Sequence, residues 1–191
     1  ASDYEDLNRS AAELPPGSEG VIVQEHFQGN RTPHTDPGSR GAIHGLSLKH
    51  GRGHLFRATI EGIAFGSELI LETMRTNGFE PERIVVAGGA TRSDLWLQIH
   101  ADVSNLPLTL TEVADAPLLG CAVLASVGAG LHEDILTASD RMVKVARVIG
   151  PDDATHSIYR PFYEAYKATY GAVRSVRQHL EAQQRNPLPR C

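Results

Sequence analysis

The stretch from His54 to Arg75 constrains this chain more than any other. Leu55, Ala58, Gly62 and Leu69 fall on one side of a helix there, and Ile60, Ile63, Ile70 and Met74 widen the apolar stripe. A helix apolar over so much of its surface is buried between other elements. Gly62 and Gly66 lie inside it, each costing about 1 kcal/mol relative to Ala. Close packing against a neighbouring element is the expected reason. Glu61 stands in the same helix, and a hydrogen-bonded structural role is expected of it before a catalytic one.

Other elements are arranged around this helix. Residues 3–14 predict a helix with Tyr4, Leu7, Ala11 and Leu14 on one side, ended by Pro15-Pro16-Gly17-Ser18. Gly20-Val21-Ile22-Val23 predicts a strand, and residues 28–41 a long loop of the kind that often carries function, in which Arg31 and Asp36 either contact a ligand or, as the preferred reading, pair within the loop. Arg83 to Ala87 is a β-branched run. Leu95, Ile99 and Val103 repeat at helical spacing, and Leu106 to Thr111 alternates as a strand does. Asp115-Ala116-Pro117 opens a further helix, with Asp as N-cap and Pro in the first turn. Residues 134–147 and 156–182 predict two more helices, the last carrying Tyr159, Phe162, Tyr163, Tyr166 and Tyr170. Such alternation means α/β, a sheet flanked by helices. One domain is expected over residues 1–182, with a disordered tail at 183–191.

Composition excludes several classes of function. The net charge is −5 and no Lys/Arg run is present, so nucleic acid is not an expected partner. The weakly polar stretch Ala116 to Leu131 falls short of the roughly 20 apolar residues of a membrane span; a buried helix is expected instead, with Cys121 as a small buried hydrophobe. Cys121 and Cys191 make no disulfide framework, which favours a reducing compartment. The acidic start Ala1 to Asp6 has no apolar core of a signal peptide. His50 and His54 are separated by Gly51 and Gly53, and no Cys or carboxylate stands at a zinc-like spacing, so no metal site is expected.

The chemistry concentrates in Val85-Val86-Ala87-Gly88-Gly89-Ala90-Thr91-Arg92-Ser93-Asp94-Leu95-Trp96. A buried strand ends in two glycines and a helix starts within a few residues. Glycines let another group approach the backbone, and the helix start offers free N–H groups and a positive dipole end. Ligands of α/β folds gather at the carboxyl ends of strands. The plain alternative is a tight turn in which Thr91 and Asp94 form a capping-box-like pair. Neither GxGxxG nor GxxxxGK[ST] occurs, so Rossmann and P-loop binding are unsupported.

Further motifs join this one. Gly41-Ala42-Ile43-His44-Gly45-Leu46, seven residues, then His54-Leu55-Phe56-Arg57-Ala58-Thr59-Ile60-Glu61, resembles the second signature of the FGGY carbohydrate kinases at every defined position. Phe27 to Pro33, with Asp36-Pro37 and Arg40-Gly41, resembles the family's preceding loop. The Gly88-Gly89 turn with Ser93 and Trp96 resembles its adenosine-side turn, and Glu112 to Ala122 its next loop and helix. Together the likeness spans residues 4–170. The xylulose and ribulose kinases are the nearest in flavour; glycerol kinases tend to carry Asn where Ser93 stands.

This resemblance implies part of an actin-like ATPase (ribonuclease H-like) domain, the C-terminal of two that enclose a cleft, starting after its opening strands. It implies ATP with magnesium as cofactor, ATP/ADP as ligands, a pentulose or related sugar or polyol bound with the other domain, and a cytoplasmic location. Carried over residue by residue, Gly88, Gly89, Ala90 and Ser93 fall on the nucleotide side. No catalytic residue carries over, because the family's base and first phosphate loop belong to its N-terminal domain. Two functions follow: the nucleotide-side domain of a sugar kinase, inactive alone, or a non-catalytic interaction or structural subunit derived from one. Either is expected to self-associate or bind a protein partner.

Overall fold

A computed structural model describes residues 3–185. The apolar stretch forms α2 (Arg52–Thr76), started by Gly51, whose N–H donates to the His54 Nδ1 at 3.1 Å. Strand β1 (Ile22–Gln24) crosses it at the two glycines. A Cβ at Gly62 would collide with the Val23 carbonyl oxygen, and one at Gly66 with the Glu25 carboxylate. That close approach outweighs the helix propensity lost at both positions. β1 pairs antiparallel with β2 (Ala42–His44), Ile22 opposite His44. Three residues are too short a run to show a strand period, so β2 does not stand out in the sequence.

The last helix, α6 (Asp153–Arg185), closes the core from the other side. Tyr159, Tyr163 and Tyr166 pack with Ile22, Ile60, Phe65, Ile99 and Val103. Each buried ring keeps its hydroxyl satisfied: Tyr163 donates to Glu72 at 2.6 Å, and Tyr166 to Glu25 at 2.8 Å. α6 runs past the expected boundary at residue 182; the rest of the expected tail, 186–191, lies outside the described residues.

The Tyr159 hydroxyl belongs to a buried knot. Glu61 accepts from the Arg57 Nε at 2.8 Å, the Tyr159 hydroxyl at 3.0 Å, the Gly17 N–H at 3.0 Å and the Ser18 hydroxyl at 2.7 Å. Arg57 also donates to the Ala11 carbonyl at 3.1 Å and to the Tyr159 hydroxyl at 2.9 Å. The knot joins α1 (Asp3–Ala12), the turn after it, α2 and α6. The role expected of Glu61 is the one it has.

A second layer is a three-stranded sheet. β3 (Ile84–Val86) runs parallel to β4 (Leu108–Thr111), which pairs antiparallel with β5 (Val145–Ile149). α3 (Asp94–Ser104) lies between the layers. Its Leu97 and Ala101 pack on Leu108, Leu110 and Ile149, while Ile99 and Val103 face α2 and α6.

Four expectations need correction, the first being that β3 is a buried strand: none of its residues is buried and Val85 is 60% exposed. The helix read over 134–147 is α5 (Ile135–Met142) followed by β5. Val143 to Ile149 is rich in Val and Ile, and pairing with distant β4 decides its conformation, which local periodicity does not register. α4 (Ala116–Gly128) is not a buried helix: only its Val123 and Ser126 are buried, and Leu118 is 66% exposed. Cys121, on the same helix, is exposed. α4 and α5 pack on each other and leave the outward face of the sheet open, where Val85 and Val148 are more than half exposed.

Two experiments test this packing. Glu61→Ala leaves the buried Arg57 without its anion, and the expected loss is about 3–5 kcal/mol of stability in urea unfolding. An unchanged midpoint would show that the knot does not hold the helices together. His100 provides the second. Its Nδ1 bonds the Trp96 carbonyl at 2.8 Å, its ring stacks on Trp96, and its Nε2 has no partner among the described residues. Burial lowers its pKa from 6.5 to about 4. The unfolded chain therefore binds a proton that the folded one refuses. This contribution to stability is complete above pH 6.5, declines as pH falls, and is lost below about 4, a change of about 3 kcal/mol. His100→Phe should remove that part of the pH dependence; parallel stability–pH curves for the two proteins would contradict it.

Candidate functional site

β3 and β4 run parallel, so their carboxyl ends lie side by side, and the chain leaves them into α3 and α4. Gly88 follows β3 with φ 89°, a left-handed conformation that favours glycine. Its N–H donates to the Ala114 carbonyl at 3.1 Å, which ties the two loops together. The Thr91 hydroxyl donates back to the Gly88 carbonyl at 2.7 Å, and residues Gly89–Arg92 form a 3-10 turn.

Ser93 then caps α3. Its Oγ accepts from the Trp96 N–H at 3.2 Å and donates to the Asn8 Oδ1 at 2.7 Å. Asp115 caps α4 in the same way, accepting from the Leu118 N–H at 3.1 Å. Between the two loops opens a cleft of about 520 Å³ lined by Ala87, Gly88, Gly89, Arg92, Ala114, Asp115 and Pro117. Nothing lies within 4 Å of where a Cβ of Gly88 or Gly89 would stand, so the backbone is open to a ligand. A second hollow of about 700 Å³ lies on the other side of the turn, between Tyr4, Asn8 and Arg9 of α1 and Ser93 and Leu95.

This arrangement can bind but is poorly equipped to react. Ser93 gives its proton to an amide oxygen, which is no general base. Asp115 is engaged in capping, and Asp94 pairs with Arg147 at 2.6 Å. Among the described residues no group of three or more His, Cys, Asp or Glu side chains converges to hold a metal, and no helix is long and apolar enough to cross a membrane.

The residues singled out from the sequence are divided between the two hollows. Gly88 and Gly89 line the cleft, Ala90 lies in the turn, and Ser93 faces the second hollow. The Thr91–Asp94 capping pair is replaced: Ser93 is the cap, and Thr91 holds the Gly88 carbonyl. Asp36 accepts from Arg177 and from the Tyr170 hydroxyl, each at 3.1 Å, where Arg31 was expected as partner. Sequence reasoning missed Asn8, Arg92 and Asp115 as parts of the site. Arg92 lay inside the quoted motif; Asn8 is 85 residues from Ser93, and only the fold joins them.

Residues 1–129 match the sequence profile described as the FGGY family of carbohydrate kinases, C-terminal domain. A xylulose kinase of Staphylococcus epidermidis is 31% identical over 177 residues, covering 93% of this chain and 36% of that protein. A ribulokinase of Mycolicibacterium smegmatis is 37% identical over 166 residues, covering 85% of this chain and 29% of that protein. Among solved structures, the xylulose kinase of Rhodospirillum rubrum superimposes with a TM-score of 0.77 at 32% identity, over 91% of this chain and 34% of that one. A ligand-bound xylulose kinase of Lactobacillus acidophilus gives 0.80 at 26% identity, over 88% and 34%. The chain thus spans about a third of the length of the relatives it matches.

Proposed function

The chain belongs to the FGGY family of carbohydrate kinases, and from that premise we propose that it is the nucleotide-side domain of an ATP-dependent kinase for a pentulose or related sugar. The observation that carries this is the open Gly88-Gly89 turn, set at the carboxyl end of β3 against the start of α4. Xylulose and ribulose kinases among the relatives support the pentulose class.

The residues present fit a nucleotide. Bare backbone at Gly88 and Gly89 gives it room to approach, and the starts of α3 and α4 place positive dipole ends near the cleft. Ser93 faces the second hollow and keeps one lone pair for a donor entering there, since its proton is held by Asn8 and one acceptor position by Trp96. ATP, when bound, supplies the phosphoryl group. Among the described residues no group of three or more His, Cys, Asp or Glu side chains converges to hold magnesium, and the ion is assigned to the nucleotide phosphates and to groups outside this chain. The catalytic base and most sugar contacts are assigned to the remaining two thirds of the enzyme, and a cytoplasmic location goes with this assignment. Catalysis of phosphoryl transfer is chiefly positioning and electrostatic stabilisation, and this domain supplies one wall for both.

A different observation favours the alternative of an interaction subunit. β3 is an edge strand among the described residues, the outward sheet face exposes Val85 and Val148, and α4 is exposed beside it. An unpaired edge beside an apolar face is a surface made for another chain. In the kinase reading that chain is the rest of the enzyme; in the alternative it is an unrelated protein or a second copy.

Calorimetric titration with ADP separates the two. The kinase reading expects saturable one-site binding, weakened at least about tenfold by Gly89→Val, which fills the cleft with a branched side chain. The space at Gly89 is open, so the melting temperature should hold. With ATP and a pentulose the chain alone should show no ADP release above background; turnover near one per second, within the ordinary enzyme range, would contradict a missing base. Absence of ADP binding to the unmodified chain would leave the interaction subunit as the better account.

A further inference from the structure

Arg92 ends the Gly89–Arg92 turn and lines both hollows, the cleft by the glycines and the one against α1. Its guanidinium is exposed, and among the described residues no carboxylate pairs with it. Of the acids lining the two hollows, Asp94 holds Arg147, and Glu5 of α1 stands across the second hollow with a contact of its own. Asp115, the one carboxylate lining the same cleft, accepts from the Leu118 N–H that it caps. The cleft therefore offers a cation without a fixed anion, beside two helix starts whose dipoles have the same sign.

Resting on the nucleotide seat proposed above, we propose that Arg92 is a binding residue for the phosphates of the nucleotide, the group that distinguishes ADP from adenosine at this turn. A planar guanidinium donates to two phosphate oxygens at once, and such charge-assisted pairs are stronger than neutral ones. Adenosine offers no anion, so it gains nothing from this contact. Gly88 and Gly89 present no side chain between the cleft and the turn that ends at Arg92.

The experiment titrates the whole chain with ADP, AMP and adenosine in metal-free buffer, using the unmodified protein, Arg92→Ala and Arg92→Lys. The unmodified chain should bind in the order ADP, AMP, adenosine, with ADP binding weakened by salt. Arg92→Ala should weaken ADP about tenfold or more, leave adenosine within about twofold, and reduce the salt dependence. Arg92→Lys should restore part of the loss, because charge returns without the fork. The side chain is exposed and unpaired, so all three proteins should melt together. ADP affinity unchanged in Arg92→Ala would overturn the assignment while leaving the seat intact. An equal loss for adenosine and ADP would also overturn it, since the side chain would then serve the base or the fold. No binding of any of the three ligands to the unmodified chain would remove the seat, and the phosphate contact with it.

Discussion

The buried pairing of Glu61 with Arg57 is the interaction on which the rest of this structure depends. Two charges out of water are expensive, and their mutual attraction repays that only when every remaining donor and acceptor is satisfied. Here the carboxylate takes four donors, and the guanidinium reaches the end of α1 and the ring hydroxyl of Tyr159. The partners come from residues 11, 17, 18, 57 and 159, so the pair can be satisfied only when distant segments have all arrived. It acts as a registry device: an apolar replacement could fill the space but could not fix which turn of α1 meets which turn of α2.

The candidate site inherits that registry. α1 is fixed on α2 at its carboxyl end, and four residues before Ala11's neighbour Ala12 its Asn8 reaches across to Ser93 at the start of α3. α3 in turn is held on both faces, by the tyrosine-rich core on one and by the sheet on the other. The glycine turn is thus a short connection held between fixed supports: β3 before it, capped α3 after it, and the Ala114 carbonyl beside it. Rigid surroundings and a bare backbone together make a place where a ligand can be held without the chain having to be ordered first.

Much of this was legible in the sequence, for reasons that differ by element. α2 announced itself through periodicity over many residues, and the price of Gly62 and Gly66 pointed to the close approach of β1. The Gly88-Gly89 turn was visible because glycine pairs after a β-branched run have few other uses. What escaped depends on tertiary partners. β5 has a local composition that a helix also tolerates at its start, and pairing with β4 made it a strand. α4 is as apolar as a core helix, yet it is exposed here, since its sequence records a need for cover and not whether this stretch of chain provides it. Asn8 could not be assigned to the site, because a polar residue on an amphipathic helix gives no sign of what lies opposite. Arg92 stood in the motif itself, but nothing in its neighbours along the chain showed that Asp94 would turn to Arg147 and leave it unpaired.

The proposed nucleotide seat is the Gly88-Gly89 turn between the starts of α3 and α4. Amide chemical shifts of the isotopically labelled chain, followed as ADP is added, test it most directly. The expected result is saturable shifts concentrated in residues 87–93 and 114–118, with Asn8 following through its bond to Ser93, and little change along α6. Shifts that cluster elsewhere, or a spectrum unaltered at saturating ADP, would contradict it.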